Sequence, residues 1–160
     1  MRNRILIFVM SLTMLFGFPG CVRNTNADTN KTITSVESMT LTLSGMRGSV
    51  VYKFEIEDDA SELCQYHKIY RNGKDELVPE RSVPCTLQTM IERMNTCGIL
   101  RWNGFHGKHP KYVRDGIMFR FEAVVNGGQT IEADGSANFP KGYSDFVRAL
   151  DAMLAESEND

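Results

Sequence analysis

The sequence predicts an α+β domain: an antiparallel sheet of about five to six strands with two helices packed on one face. Apolar and polar residues alternate in several short segments, such as Met39 to Leu43, which is typical of half-buried strands. Two longer segments repeat apolar residues at helical spacing, and the order of hairpins, helix, hairpin and helix indicates a sheet covered on one face. The 160 residues, 42% hydrophobic and 24% charged, are ordinary for one domain.

The first half of the domain is expected to form two hairpins. After the strand at Met39, a second strand alternates from Val50 to Ile56 and a third runs from Glu62 to Tyr70. The third strand ends at Asn72-Gly73, a dipeptide suited to the positive φ angles of a tight hairpin turn. A short return strand around Leu77-Val78 is expected to stop at Pro79.

Two helices and a further hairpin complete the predicted domain. Thr86 can cap the first helix and Gly98 can end it. An irregular stretch from Ile99 to Gly116 precedes a strand whose inward residues are Ile117, Phe119, Phe121, Ala123 and Val125. The apolar stripes of the helices are Leu87, Met90, Ile91 and Met94 in the first, and Tyr143, Phe146, Val147, Leu150, Met153 and Leu154 in the last.

The N-terminus has the layout of a secretory signal. Arg2 and Arg4 precede a run from Ile5 to Phe18 that carries no charged side chain. This run has 14 residues, fewer than the roughly 20 that a helix needs to cross a bilayer core. A permanent transmembrane anchor is therefore the weaker interpretation, and an exported protein is expected.

The run ends in Phe18-Pro19-Gly20-Cys21, in which Gly20 and Cys21 resemble a bacterial lipoprotein processing site. The resemblance implies that residues 1–20 are a lipoprotein-type signal peptide and that a diacylated Cys21 anchors the chain to the membrane. Phe18 and Pro19 depart from the pattern, and an ordinary cleaved signal is the alternative. Residues 21–38, rich in Asn, Thr and Ser, are expected to be a flexible tether, followed by the domain at 39–156 and an acidic tail at 157–160.

Charge and cysteine content restrict the possible partners and crosslinks. Residues 1–20 hold two arginines and no acid, so their removal changes the formal net charge from −2 to −4. An acidic, exported protein is not expected to bind nucleic acid. Cys85 and Cys97 flank the predicted first helix, whose ~18 Å length exceeds the ~7 Å Cα separation of a disulfide. Any bridge must use Cys64, and three buried free thiols are the alternative.

Three motifs follow the first helix: Trp102-Asn103-Gly104-Phe105, the segment from Asp115 to Phe121, and Gly135-Ser136-Ala137-Asn138-Phe139-Pro140. Together they resemble a pattern in uncharacterised exported bacterial proteins, many with lipoprotein signals. The family has no assigned activity, so the resemblance implies a fold and an address only. The motifs also have a structural interpretation, because Trp102 and Phe105 can close one end of the core.

The segment from Arg101 to Arg114 is the main candidate for ligand binding. Its basic side chains, two histidines and aromatic residues occur without an acid before Asp115. Such a positive field would bind an anionic envelope polymer, a lipid head group or an acidic protein partner, and aromatic faces would suit sugar rings. The alternative is a solvated loop whose aromatic residues point inward. The candidate residues are Arg101, Trp102, Phe105, His106, Lys108, His109, Lys111, Tyr112 and Arg114.

Overall, these patterns favour a non-enzymatic binding or interaction module displayed at the bacterial cell surface, with no cofactor and no catalytic residue assigned. Metal binding through His106 and His109 is a weaker alternative, because a stable zinc site needs three or four ligands and Cys85, Cys97 or His67 would have to converge there. A small envelope hydrolase is the other alternative, using carboxylates such as Glu55 and Glu62 in a concave site.

Overall fold

The computed structural model of the protein describes residues 32–57 and 60–156. The predicted signal peptide, the predicted lipidation site Cys21, most of the predicted tether and the predicted acidic tail lie outside these residues. The described part contains helices α1 (Leu87–Cys97) and α2 (Tyr143–Glu156) and a short 3₁₀ helix, Ile99–Trp102. Its strands are β1 (Val36–Gly45), β2 (Gly48–Glu57), β3 (Ala60–Arg71), β4 (Lys74–Pro84), β5 (Phe105–Gly107), β6 (Met118–Val125) and β7 (Gln129–Ser136).

Within the described residues, the seven strands form one sheet in the order β4-β3-β2-β1-β6-β7-β5. All neighbouring strands are antiparallel except β5, which pairs in parallel with β7. The predicted α+β class is confirmed, but the sheet has seven strands rather than five to six. The additional strand is β5, whose three residues are too few to produce a recognisable alternation.

The core lies between the helices and one face of the sheet. Phe119, Phe121, Ala123 and Val125 of β6 are buried, while the residues between them are exposed or partly exposed. They join one cluster with the buried faces of both helices. Ile117, predicted to point inward, is instead 52% exposed, because it precedes β6 and the sheet pairing begins at Met118.

Local signals define the ends of α1 as predicted. The Thr86 hydroxyl accepts a hydrogen bond from the Thr89 amide, and Gly98 ends the helix with a φ of 71°. The hairpin turn at Asn72-Gly73 also has positive φ at both residues. Among the described residues, neither helix combines the length and the hydrophobicity that crossing a membrane requires.

The return strand β4 is longer than predicted, because it continues through Pro79 to Pro84. β4 is an edge strand that pairs only with β3, and the register shifts opposite Gln65 and Tyr66. At an edge or a bulge, the missing proline N–H removes no required ladder hydrogen bond, so proline is tolerated there.

The packed domain also begins earlier than residue 39. Ile33 and Val36 are each only 2% exposed. The Asn95 side chain accepts a hydrogen bond from the Ile33 amide and donates one to the Ile33 carbonyl, both at 2.8 Å. Asn126 accepts from the Thr34 amide at 2.7 Å. The chain therefore enters the domain beside the β6–β7 turn, and residues 33–38 belong to the packed domain rather than to the predicted tether.

Candidate functional site

The structure places eight of the nine candidate residues in two separate regions. Arg101, Trp102 and Phe105 line a cleft beside the helices, which we name the helix-side cleft. The residues 108–114, which we name the basic loop, carry Lys108, His109, Lys111, Tyr112 and Arg114 on the surface between β5 and β6. His106 lies between the two regions, on β5.

The helix-side cleft has a volume of about 450 Å³. It lies between the C-terminal end of α1, the 3₁₀ helix and the segment 139–142 that leads into α2. In addition to the three predicted residues, it is lined by Cys97, Phe139, Lys141 and Asp145. Its residues therefore come from two stretches of the chain, 95–105 and 139–145, which are more than thirty positions apart in the sequence.

Trp102 forms the inner wall of this cleft and belongs to the core. It is 1% exposed and makes edge-to-face contacts with Phe121 and Phe146, at centroid distances of 5.1 and 5.7 Å. Its indole N–H donates a hydrogen bond to the Lys141 carbonyl at 3.0 Å, so the polar atom of the buried ring has a partner. Trp102 thus connects the sheet, α2 and the segment that precedes α2.

The glycine positions of the third motif and of β5 have a packing explanation. A Cβ atom on Gly107 or on Gly135 would lie 2.3 Å from the carbonyl oxygen of Asn138. The segment after β7 therefore lies directly against the paired ends of β5 and β7, where a side chain has no room. The side-chain Nδ2 of Asn138 also donates to the Lys108 carbonyl at 3.4 Å, at the start of the basic loop.

The basic loop is held in shape by His109. One ring nitrogen, Nε2, donates to the Val113 carbonyl at 2.6 Å, and Nδ1 is 2.8 Å from the Ser136 hydroxyl. The chain between the loop and β6 is held as well, because the Ile117 carbonyl accepts a hydrogen bond from the Ala137 amide at 2.9 Å. The loop is thus fastened to the end of β7 and to the segment that follows it.

The remaining side chains of the basic loop face the solvent. Lys108, Lys111 and Arg114 are exposed, and the Tyr112 side chain is 96% exposed. A tyrosine in an ordered loop with almost no packing contacts offers a free ring face and hydroxyl to a partner. The predicted alternative of a solvated loop with inward aromatics applies to Trp102 and Phe105, but not to Tyr112.

The two histidines are engaged separately. His106 Nδ1 lies 2.8 Å from a carboxylate oxygen of Asp134, the residue paired with it on β7. Both ring nitrogens of His109 have hydrogen-bond partners. Among the described residues, no group of three or more His, Cys, Asp or Glu side chains is arranged to hold a metal ion. His67, on β3, pairs instead with Glu80 on β4, at the opposite edge of the sheet from β5.

A second concavity, of about 400 Å³, lies along β3 and β4 on the other edge of the sheet. It is lined by Glu55, Glu57 and Glu62, together with Cys64 and Tyr66. Burial is the main cause that raises the pKa of the Cys64 thiol, and it also raises the pKa of Tyr66 to about 12. Both groups therefore stay protonated near neutral pH and are poor nucleophiles.

The cysteines of the described residues, Cys64, Cys85 and Cys97, are all free thiols. Burial is the largest cause that raises the pKa of Cys85 and of Cys97 as well. Cys97 lines the helix-side cleft as a neutral thiol, which acts as a small apolar side chain.

Phe139, Lys141 and Asp145 are among the lining residues that the sequence did not indicate. Phe139 belongs to the third motif, so the resemblance contained a signal for this position. Lys141 and Asp145 carry no such signal, because their placement depends on how α2 packs against α1.

No model of a known protein family matches the chain, and no curated protein matches it either.

Proposed function

We propose that the protein is a non-enzymatic binding module held at the outer side of a bacterial membrane by a lipid on Cys21, and that its basic loop binds an anionic envelope polymer. The observation that carries this proposal is the exposed ring of Tyr112 on an ordered loop that also presents Lys108, Lys111 and Arg114. Cationic side chains attract a polyanion, and an exposed aromatic ring can stack against sugar rings.

The position of the N-terminal segment supports the proposal. β1 and β6 are antiparallel, so Val36 pairs with Val125 at one end and Ser44 with Met118 at the other. The chain enters beside Val36, whereas the basic loop precedes Met118. The eight residues of β6 separate these ends by roughly 26 Å. The described chain therefore begins at the end of the sheet opposite to the basic loop, and we infer that anchoring through the N-terminal segment leaves the loop accessible to a partner.

The described residues weigh against a metal at His109 and against nucleophilic catalysis by Cys64 or Tyr66. A metal at His109 would have to displace its hydrogen bonds to Val113 and Ser136. In the concavity along β3 and β4, the raised pKa values of Cys64 and Tyr66 work against nucleophilic catalysis by either group.

The experiment is a binding titration of the fragment 22–160 against dextran sulfate, with neutral dextran as the chemically matched polymer. We expect saturable binding to dextran sulfate that weakens as salt is added, because counterions screen exposed charges. The combined changes Lys108→Glu and Lys111→Glu should weaken binding by about tenfold or more, equivalent to ~1.4 kcal/mol.

The matched control reverses two charges elsewhere. Arg71→Glu with Lys74→Glu makes the same change in net charge at the β3–β4 turn, on the opposite edge of the sheet. This pair of changes should reduce binding much less than the loop pair. Equal losses in the two variants would show that net charge alone attracts the polymer, and the basic loop would then no longer be the binding site.

A further inference from the structure

The helix-side cleft is a preformed space rather than a gap between mobile elements. Gly142 has a φ of 89°, and a Cβ atom there would lie 2.2 Å from the Cys97 carbonyl oxygen. The start of α2 and the end of α1 therefore touch through their backbones at the base of the cleft. The Trp102 hydrogen bond to Lys141 closes the same region from the other side. A site that needs no rearrangement binds a ligand more tightly, because ordering the site costs little free energy.

The walls of the cleft are partly aromatic. Phe105 and Phe139 are each partly buried, and both contact Phe119 below them, at centroid distances of 6.2 and 5.5 Å. Phe139 also stacks against Tyr143, with ring centroids 4.3 Å apart, and both Phe105 and Phe139 line the cleft. Small-molecule sites typically combine such apolar walls with a few polar groups, in volumes of about 300–1,000 Å³.

The rim of the cleft carries more positive than negative charge. Arg101 and Lys141 both line the cleft, and within residues 32–57 and 60–156 neither side chain has an ion-pair partner. Asp145 is the acidic residue of the lining, and its carboxylate lies 3.7 Å from Arg148. Two cations without an internal partner beside an aromatic wall fit a ligand that is both anionic and aromatic.

We propose that the helix-side cleft binds a small aromatic organic anion, with its ring system against Phe105 and Phe139 and its acid group at Arg101 and Lys141. This inference does not depend on the basic loop. It assigns a second binding site to the domain, for a small molecule rather than for a polymer.

The single tryptophan of the chain gives the test one optical reporter. Trp102 lines the cleft, so its fluorescence should be quenched by a probe bound there, and the charge reversals below locate the site. The probe is 8-anilinonaphthalene-1-sulfonate, and the comparison compound is N-phenyl-1-naphthylamine, which has the same rings without the sulfonate. We expect the sulfonate to quench Trp102 saturably at one site, and to bind about tenfold more tightly than the neutral compound.

Charge reversal distinguishes this site from general adhesion of the dye. Arg101→Glu with Lys141→Glu should weaken sulfonate binding by about tenfold or more and leave the neutral compound unaffected. Both side chains are exposed, so these changes should alter folding stability little, which thermal unfolding of the variant checks. The milder Arg101→Gln with Lys141→Gln should give a smaller loss in the same direction.

Either of two results would overturn the inference. One is that the protein binds the two compounds with equal affinity, and the other is that the folded Arg101→Glu, Lys141→Glu variant binds the sulfonate as tightly as the unaltered protein. The loop variant Lys108→Glu, Lys111→Glu should bind the sulfonate normally, because its substitutions lie outside the cleft lining. Polymer binding and dye binding can therefore fail separately.

Discussion

The helix-side cleft and the basic loop are neighbours in the sequence but differ in how they are built. The cleft wall at Trp102 is part of the core and is 1% exposed, whereas Tyr112, ten positions later, is 96% exposed. The first residue contacts several aromatic rings, and the second projects from a loop that a few hydrogen bonds hold in place. A segment that is uniform in its basic and aromatic composition can thus supply a buried pocket wall at one end and a solvent-exposed surface at the other.

The largest expected difference between the two regions is in folding stability. Trp102→Ala should reduce the free energy of unfolding by about 3–5 kcal/mol, because it leaves a cavity among Phe119, Phe121 and Phe146. Tyr112→Ala, the matched aromatic change in the basic loop, should alter it by less than about 0.5 kcal/mol. Urea unfolding followed by circular dichroism measures both. Similar losses in the two variants would mean that the loop packs against the domain.

A smaller effect is expected where the basic loop is fastened. His109→Ala removes the contacts to Val113 and Ser136, and we expect a loss of about 1 kcal/mol or less because the ring is exposed. The local consequence should be larger: trypsin should cleave after Lys111 and Arg114 several-fold faster, since the loop opens more often. His106→Ala is the control, because its partner is Asp134. Equal cleavage rates in the two variants would remove His109 from this role.

A further effect on folding stability should appear only at alkaline pH. Burial raises the pKa of Tyr143 from its ordinary value of 10.0 to about 12. The folded state therefore holds this proton more tightly than the unfolded chain does, and its contribution to stability is complete below pH 10 and is lost as the pH rises to about 12. Tyr143→Phe should flatten this decline, whereas Tyr112→Phe should not. Urea unfolding at several alkaline pH values tests the pair, and identical curves for both variants would contradict the assignment.

Where the signals were local, the sequence was sufficient to predict the structure. The Thr86 cap, the Gly98 terminus and the Asn72-Gly73 turn are where the pattern placed them. Each depends on residues within about four positions, and on backbone conformations that few side chains permit. The alternation of β6 also predicted its buried residues, apart from Ile117, which lies just before the paired region.

The candidate site was predicted only as a segment. The residue types of the segment were visible in the sequence. Its division into a cleft wall and an exposed loop was not, because burial of Trp102 depends on rings that lie in β6 and α2. The parallel strand β5 was missed because its partner, β7, begins more than twenty residues later and supplies all of its ladder contacts. Ile33 was assigned to the tether because its polar surroundings concealed its contact with Asn95, 62 positions away.

By itself, the sequence determined the α+β class, the hairpin turns, the limits of α1 and the presence of a basic, aromatic segment between the helices. Short-range sterics, hydrogen bonding and the alternation of apolar residues are sufficient for these features. The tertiary structure alone decided that Arg101, Phe139 and Lys141 share one cleft while Lys111 and Tyr112 face the solvent. That outcome depends on how α1 and α2 pack against each other and on how the segment after β7 covers β5, and such contacts join residues that are remote in the sequence.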